Sequence, residues 1–205
     1  MGGRELSALV EESGHETLAR PTDGVPAERA APLSAYPEDV SLARLLRRLP
    51  DRDLTGAELE ALAAGIAHRP EAWAHHVAFD GDGRVYVSLH RDAHVDVWLL
   101  CWTPENDTGW HDHDISSGAV AVVSGELVEN NLTLTHGARE TRVPAGRVFS
   151  FGPEHIHRLN GAVRGSVSVH AYSPPLWRMG QYAVNDAGVL SRVSLSYADE
   201  LRPID

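Results

Sequence analysis

The sequence predicts a mainly β domain, a sandwich or barrel, that follows a short helical segment. From about residue 77 onward, short runs rich in β-branched and aromatic residues alternate with turn formers such as Ser124-Gly125 and Pro144-Ala145-Gly146. Many short strands with regular turns are typical of these two architectures. Before residue 68 the apolar residues recur at helical spacing instead.

The chain of 205 residues has the size of one ordinary domain. Residues 1–36 are rich in Gly, Pro, Ala and charged residues without clear periodicity, so we expect a loose N-terminal arm there. Residues 37–205 are expected to form a single domain, with helices within 37–68 and a barrel over about 77–200.

Two helices are predicted ahead of the strands. Leucines at i, i+3, i+4 and i+7, from Leu42 to Leu49, indicate an amphipathic helix that Pro50 ends. Thr55 and Glu58 form a capping-box pattern, which predicts the start of the second helix.

The predicted strands are runs of four to nine residues rich in Val, Leu and aromatic side chains. They cover residues 85–89, 95–102, 118–123, 126–134, 148–151, 167–172 and 189–196.

Charge and cysteine content limit the classes of partner. The formal net charge of −11 argues against binding to nucleic acid or to anionic membrane surfaces, so we expect a small-molecule ligand. Cys101 is the single cysteine, which rules out a disulfide within the chain and favours a cytoplasmic location. It stands in an apolar run and is expected to be a buried thiol. A monomer or small homo-oligomer is expected.

The strongest chemical signal is the cluster His111-Asp112-His113-Asp114, directly before a β-branched run. Side chains alternate along a strand, so imidazoles at i and i+2 share one face and can reach one metal ion. We expect Asp112 and Asp114 to be turn residues or to support the ligands. A surface turn with two exposed histidines, or the helical His-Asp doublet of phosphohydrolases, are the alternatives; the Val-rich surroundings oppose the helix.

A third ligand is available from either His155 or His157, which follow a Gly-Pro turn. Three neutral imidazoles specify a divalent transition metal but not which one, and they leave coordination positions open for a substrate.

The motifs around these histidines resemble the two-part motif of the cupin β-barrels, a jelly-roll-like fold. His111-x-His113 is followed by Gly125, and later come Pro144-x-Gly146 and His157. Cupins commonly add an acidic ligand shortly after the histidine pair. Ser117 and Gly118 stand at the corresponding places, so the resemblance implies a site of three histidines without a carboxylate.

Within the cupins the chain is most similar to the cysteine dioxygenase type I family, over about residues 84–182. The resemblance implies ferrous iron held by His111, His113 and His157, and oxidation of a small thiol, cysteine or a cysteine-like thiol, by O2 to the sulfinic acid. The similar stretches are Leu99-Leu-Cys-Trp102, Trp110-His-Asp-His113, Gly125-Glu-Leu-Val-Glu129, His157-Arg158 and Ser168-Val-His-Ala-Tyr-Ser-Pro-Pro175.

Ser168, His170 and Tyr172 alternate along one predicted strand and therefore face the same side. Taken alone, they would be read as half-buried strand residues. With the resemblance, they are predicted to form a catalytic hydrogen-bonded relay that holds the Tyr172 hydroxyl near the reacting oxygen.

The chain departs from the family at two positions. Animal members crosslink a cysteine to the relay tyrosine, but Gly118 stands at that position and no crosslink is expected. Members that use cysteine carry an arginine that binds the substrate carboxylate, and Val87 and Ser88 occupy about that place.

Other residues are therefore predicted to bind substrate. Arg91 or Arg178 are candidates to replace the missing arginine, and Tyr86 lies on the same early strand. Trp110 and Trp177 are candidates for an aromatic mouth, whereas Trp98 and Trp102 are expected in the core.

Three other functions remain open. An aromatic mouth attracts quaternary ammonium groups, so a betaine thiol such as ergothioneine is an alternative substrate. Another cupin chemistry, for example isomerisation, and a non-catalytic metal-binding cupin are the remaining alternatives.

Overall fold

A computed structural model describes residues 30–36, 42–79, 84–133, 137–184 and 190–196. These residues form two antiparallel six-stranded sheets and a small group of helices. The mainly β architecture with a preceding helical segment is the predicted one. Among the described helices, none is both long and apolar enough to cross a membrane.

The helices are α1 (Leu42–Leu46), α2 (Gly56–Ala67) and α3 (Pro70–Trp73). At the start of α2 the predicted capping box is confirmed: the Glu58 backbone N–H donates to Thr55 Oγ1, and the Thr55 N–H donates to Glu58 Oε2 at 2.8 Å. The first helix is shorter than predicted and continues as turns toward Leu49.

Residues 1–29 of the predicted N-terminal arm lie outside the described residues. The end of that arm, however, belongs to the fold. Ala31 and Pro32 form a short strand that pairs with Val148 and Arg147, and Leu33 is buried.

The twelve strands of the described residues divide equally between the two sheets. In chain order they are β1 (Ala31–Pro32), β2 (Val85–Arg91), β3 (Asp96–Trp102), β4 (His111–Asp112), β5 (Ser117–Ser124), β6 (Glu126–Thr133), β7 (Gly137–Pro144), β8 (Arg147–Phe151), β9 (His157–Gly161), β10 (Ser166–Ser173), β11 (Arg178–Val184) and β12 (Leu190–Ser196). The strand order is β1-β8-β5-β10-β3-β2 in the first sheet and β12-β11-β4-β9-β6-β7 in the second.

Each of the seven predicted strands is present, and its described ends agree with the prediction to within two residues; the predicted end residues 134 and 189 lie outside the described residues. The short strands β4 and β9 carry His111 and His157, where the histidine spacing and the Gly-Pro turn predicted strands. Three strands were not predicted, namely β1, β7 and β11. The pair Asn160-Gly161 has the composition of a turn but ends β9 instead. Gly161 is needed there because a Cβ would lie 2.8 Å from the Thr103 carbonyl oxygen.

The first sheet separates two apolar cores. Its outer face packs against α2 through Leu59, Leu62 and Ile66, and its inner face packs against the second sheet. Alternation along β10 therefore sends Val169 and Ala171 toward the helices, and Ser168, His170 and Tyr172 toward the space between the sheets. The predicted relay thus faces the interior of the barrel.

Candidate metal centre

The three predicted ligands come from neighbouring strands of the second sheet. His111 on β4 is directly opposite His157 on β9, and His113 follows one residue after β4. One nitrogen from each ring lies within 4.8 Å of the others, and all three side chains are buried. The structure therefore brings together three imidazoles that the sequence separates by 44 residues between His113 and His157.

Hydrogen bonds orient two of the three rings. His111 Nδ1 donates to the Gly109 carbonyl at 3.0 Å, and His157 Nδ1 donates to Glu129 Oε1 at 3.0 Å. In both rings this leaves Nε2 as the nitrogen with a free lone pair, which is the usual arrangement in metal-binding histidines.

The remaining nitrogens fit a metal ion. His157 Nε2 and both ring nitrogens of His113 are buried and have no hydrogen-bond partner among the described residues. A buried polar atom without a partner costs about 1–3 kcal/mol, and a bound cation would remove that cost. The donor set of neutral imidazoles suits a divalent transition metal.

Burial keeps these imidazoles in the neutral, metal-binding form. It lowers the pKa of His111 and of His113 well below the ordinary value, and neighbouring histidines lower both further. Burial also lowers the pKa of His157, although the hydrogen bond to Glu129 acts in the opposite direction.

Glu129 on β6 is a supporting residue that the sequence reading missed. Its Oε1 accepts from His157 Nδ1 and also from His155 Nε2 at 2.9 Å, while Asn131 Nδ2 lies 2.9 Å from His155 Nδ1. Burial tends to raise the pKa of Glu129, but the hydrogen bonds from His155 and His157 outweigh it and lower the pKa to about 2. His155 is thus a neighbour of the carboxylate that supports the ligand His157.

Asp112 points away from the three imidazoles. Its carboxylate accepts from the Tyr182 hydroxyl at 2.6 Å and from the Arg192 guanidinium at 2.7 Å. Asp114 has a positive φ of 55° in the turn that follows, and its carboxylate lies 3.4 Å from Arg192. Both residues occupy the supporting and turn positions expected of them.

The three predicted relay residues form a continuous hydrogen-bonded row. Ser168 Oγ lies 2.8 Å from His170 Nε2, and His170 Nδ1 lies 3.1 Å from the Tyr172 hydroxyl. The indole N–H of Trp102 donates to Ser168 Oγ at 2.8 Å. The Tyr172 ring centroid is 5.2 Å from that of His113, so the row ends beside the histidine cluster.

A cavity of about 70 Å³ connects the histidine cluster with the relay. Most of its wall is apolar. The lining residues are Arg84, Tyr86, Trp98, Leu100, Trp102, Thr108, His111, Leu159, His170, Tyr172, Leu176 and Met179.

Arg84 lines the cavity and was not among the predicted substrate-binding residues. It stands two residues before Tyr86, so both side chains face the same side at the start of β2, and both line the cavity. Its guanidinium lies 5.2 Å from the ring centroid of Trp102. Arg84 stands three positions before Val87, about where the family pattern led us to expect an arginine.

Four residues predicted to bind substrate do not line the cavity. Arg91 is paired with the buried Asp96 and lies 4.5 Å from the ring of Trp177, whose side chain is 60% exposed. Arg178 is also exposed.

Trp110, the fourth, is buried in a separate apolar cluster with Leu132, Ile156 and Tyr182. Trp98 and Trp102 are buried in the core between the sheets, as expected, and they also line the cavity. The aromatic residues of the cavity wall therefore include these two tryptophans of β3 but neither Trp110 nor Trp177.

The structure gives a steric reason to expect no cysteine–tyrosine crosslink. A Cβ at Gly118 would lie 2.4 Å from Phe151 Cζ, because the Phe151 ring fills that space beside Tyr172. Cys101 belongs to the core on the helical side of the first sheet.

A family model for cysteine dioxygenase type I matches residues 32–185. No curated protein matches the chain. Among solved structures the chain is similar to KdgF from Halomonas sp., at 16% identity over 50% of this chain and 89% of that chain, with a TM-score of 0.42. It is also similar to a double-stranded beta-helix protein from Klebsiella pneumoniae, at 16% identity over 49% and 80% of the two chains, with a TM-score of 0.44. A third is a rmlc-like cupin protein from Desulfovibrio desulfuricans, at 18% identity over 48% and 90%, with a TM-score of 0.41.

Proposed function

The chain belongs to the cysteine dioxygenase type I family, and on this basis we propose that it uses O2 to oxidise a small thiol that carries a carboxylate, cysteine or a cysteine-like thiol, to the sulfinic acid. The reaction is RSH + O2 → RSO2H, so both oxygen atoms end on sulfur and no further reductant is needed. Ferrous iron, bound by His111, His113 and His157, would supply the redox chemistry that joins dioxygen to the sulfur.

One observation carries this proposal: a metal ligand, a cation and the relay meet in one small cavity. His111, Arg84 and Tyr172 all line it. A non-catalytic metal-binding cupin has no need of the relay beside its ligands. An enzyme that must control a proton next to the reacting atoms does need it.

The cavity chemistry favours a thiol that carries a carboxylate. Arg84 offers a guanidinium to the cavity, and Tyr86 offers a phenol. No acidic side chain is present among the described residues that line the cavity. A carboxylate would thus meet a permanent positive charge, with the planar donors that suit it.

The size of the cavity favours a short thiol. A volume of about 70 Å³ is small beside the roughly 300–1,000 Å³ of pockets that hold drug-sized ligands. Cysteine and 3-mercaptopropionate are short thiols of the kind that such a cavity favours.

A betaine thiol such as ergothioneine is much larger and carries a trimethylammonium group. Arg84 already lies over the face of Trp102, where such a cation would bind, and would repel it. Trp110 and Trp177, the residues that favoured this alternative, lie outside the cavity.

We propose one direction for the hydrogen bonds of the relay. The indole N–H of Trp102 can only donate, so Ser168 Oγ accepts from it, and in the proposed direction Ser168 donates its own proton to His170 Nε2. His170 would then carry its proton on Nδ1 and donate it to the Tyr172 oxygen. The hydroxyl proton of Tyr172 would in turn be donated to the reacting oxygen, where it stabilises the charge that develops there.

The relay requires a neutral His170. Burial, and then the nearby charge of Arg84, lower the pKa of His170 to about 3. A neutral imidazole has one donor and one acceptor nitrogen, as the relay requires.

The proposal also includes a cytoplasmic location and a monomer or small homo-oligomer that binds its thiol and O2 but neither nucleic acid nor membranes. The acidic net charge of −11 and the single buried thiol of Cys101 support this.

Oxygen uptake tests the function. The metal-free protein is reconstituted anaerobically with ferrous iron, mixed with O2 and one thiol at a time, and sulfinate is identified by mass. Cysteine or 3-mercaptopropionate should be oxidised, whereas cysteamine, which lacks a carboxylate, and ergothioneine should react poorly. Absence of uptake with all four thiols would exclude the proposed reaction.

A further inference from the structure

The last strand, β12, lies outside the part of the chain that the family model matches, which ends at residue 185. It is an edge strand, paired with β11, and most of its side chains are exposed. One of them, Arg192, nevertheless reaches past β11 to the strand that carries the first metal ligand.

The Arg192 guanidinium binds the Asp112 carboxylate bidentately. Its Nε donates to Oδ2 and its Nη2 donates to Oδ1, both at 2.7 Å. Arg192 is opposite Tyr182 on β11, whereas Asp112 lies on β4, one strand further. The Tyr182 hydroxyl donates to the same Oδ2 at 2.6 Å, so β11 and β12 hold the carboxylate together.

Gly180 on β11 leaves the space for this contact. It pairs with Asp112, and a Cβ at this position would lie 2.2 Å from Arg192 Nε and 2.5 Å from its central guanidinium carbon. The side chain of Arg192 therefore crosses β11 where that strand has none. The Gly180 backbone N–H also donates to Asp112 Oδ1, at 3.2 Å.

Asp112 stands between two metal ligands. Since side chains alternate along a strand, holding Asp112 outward keeps His111 and His113 turned inward. The Asp114 N–H donates to Asp112 Oδ1 at 2.9 Å, which also fixes the turn after His113. Burial tends to raise the pKa of Asp112, but the hydrogen bonds from Arg192 and Tyr182 outweigh it and lower the pKa to about 2.

We propose that β12 braces the metal centre, and that Arg192 is a positioning residue that preorganises His111 and His113 through Asp112. This inference rests on the metal site of the proposed function and is independent of which thiol is oxidised. Exposed ion pairs contribute little, but this pair has a forked geometry and a carboxylate side chain that is only 8% exposed.

Metal binding by the folded protein tests the brace. Four variants are titrated with Co2+ in competition with a chelator, and the visible absorption of bound Co2+ is recorded. Arg192→Gln and Gly180→Ala should lower the affinity about 10–100-fold, as loss of a residue that orients ligands typically does. Arg192→Lys should lie between these and the wild type, because lysine cannot donate as a fork.

Arg142→Gln is the matched control, because Arg142 forms an exposed pair with Glu126 at 2.6 Å away from the histidines. It should stay within twofold of the wild type. The thermal midpoint of each metal-free protein is measured in parallel. A merely structural role would lower that midpoint and leave the Co2+ affinity and spectrum of the folded protein unchanged, which would overturn the proposal.

A double-mutant cycle tests whether Arg192 acts through Asp112. Asp112→Asn, Arg192→Gln and the double variant should weaken Co2+ binding by similar factors, because all three break one interaction. If the double variant instead lost Co2+ affinity by the product of the two single factors, Arg192 would not act through Asp112. If Arg192→Gln does not fold, Arg192→Lys and Gly180→Ala decide the question. Wild-type affinity in Arg192→Gln overturns only the brace, whereas a wild-type protein that binds no divalent metal overturns the brace and the proposed function together.

Discussion

Glu129 is expected to raise the metal affinity of the site through His157, and two substitutions separate the effect of its charge from that of its hydrogen bonds. Glu129→Gln keeps an Oε1 that can accept from His157 Nδ1 and His155 Nε2, now at 3.0 and 2.9 Å, but removes the negative charge. Glu129→Ala removes both acceptors.

The expected magnitudes follow from these two contacts. A hydrogen bond to a charged group is worth about 1.5–3 kcal/mol and a neutral one about 0.5–1.5 kcal/mol. Glu129→Gln should therefore cost about 1.4 kcal/mol at His157, which is a tenfold loss of metal affinity. Glu129→Ala also leaves the His157 ring without an acceptor to orient it, and the loss should approach 100-fold.

The assay is equilibrium competition for a divalent metal between each variant and a chelator, with circular dichroism to verify folding. Glu126→Gln is the control: Glu126 lies on the same strand, β6, and its partner Arg142 is exposed. If both Glu129 variants are folded and bind metal within twofold of the wild type, Glu129 does not support the ligand and the reasoning is refuted.

Three further outcomes are expected. Arg84→Gln should lower kcat/KM for thiols that carry a carboxylate by about 10–150-fold, which is the equivalent of a charged hydrogen bond of about 1.5–3 kcal/mol. Turnover of cysteamine, which has no carboxylate, should stay nearly unchanged. Equal losses for both classes of thiol would contradict a carboxylate-binding role for Arg84. His157→Ala should abolish metal binding in a titration, whereas His155→Ala should largely preserve it, and the reverse would mean that the third ligand is misassigned. Burial and Arg84 lower the pKa of His170 to about 3, so the unfolded chain takes up a proton on going from pH 7 to 5 that the folded protein does not. The free energy of unfolding should thus fall by about 2 kcal/mol more in the wild type than in His170→Asn, measured by urea unfolding of the metal-free proteins; equal falls would count against this pKa.

The sequence predicted the site best where the residues that act together are close neighbours in one strand. His111 and His113 are two residues apart, and Ser168, His170 and Tyr172 alternate, so period-two geometry alone places each group on one face. The observed row of hydrogen bonds along β10 follows that pattern.

The aromatic residues show where local reading fails. Trp110 is adjacent to His111 in sequence yet packs in another apolar cluster. Trp102 lies in the core as expected, but its contact with the cavity and its hydrogen bond to Ser168 were not predicted. Neighbours in a strand point to opposite faces, so adjacency to a ligand predicts the wrong side of the sheet.

The sequence by itself determined the mainly β fold class, the shared face of His111 and His113, and the shared face of Ser168, His170 and Tyr172, because each depends on short spacing or on turn residues. Only the tertiary structure decided which side chains complete the site. Arg84 lines the cavity from the residue before β2, Glu129 accepts from His157 Nδ1 from β6, and Arg192 on β12 reaches past β11 to Asp112 on β4. These contacts depend on strand order and register, which are set by packing between distant segments, and no local pattern encodes them.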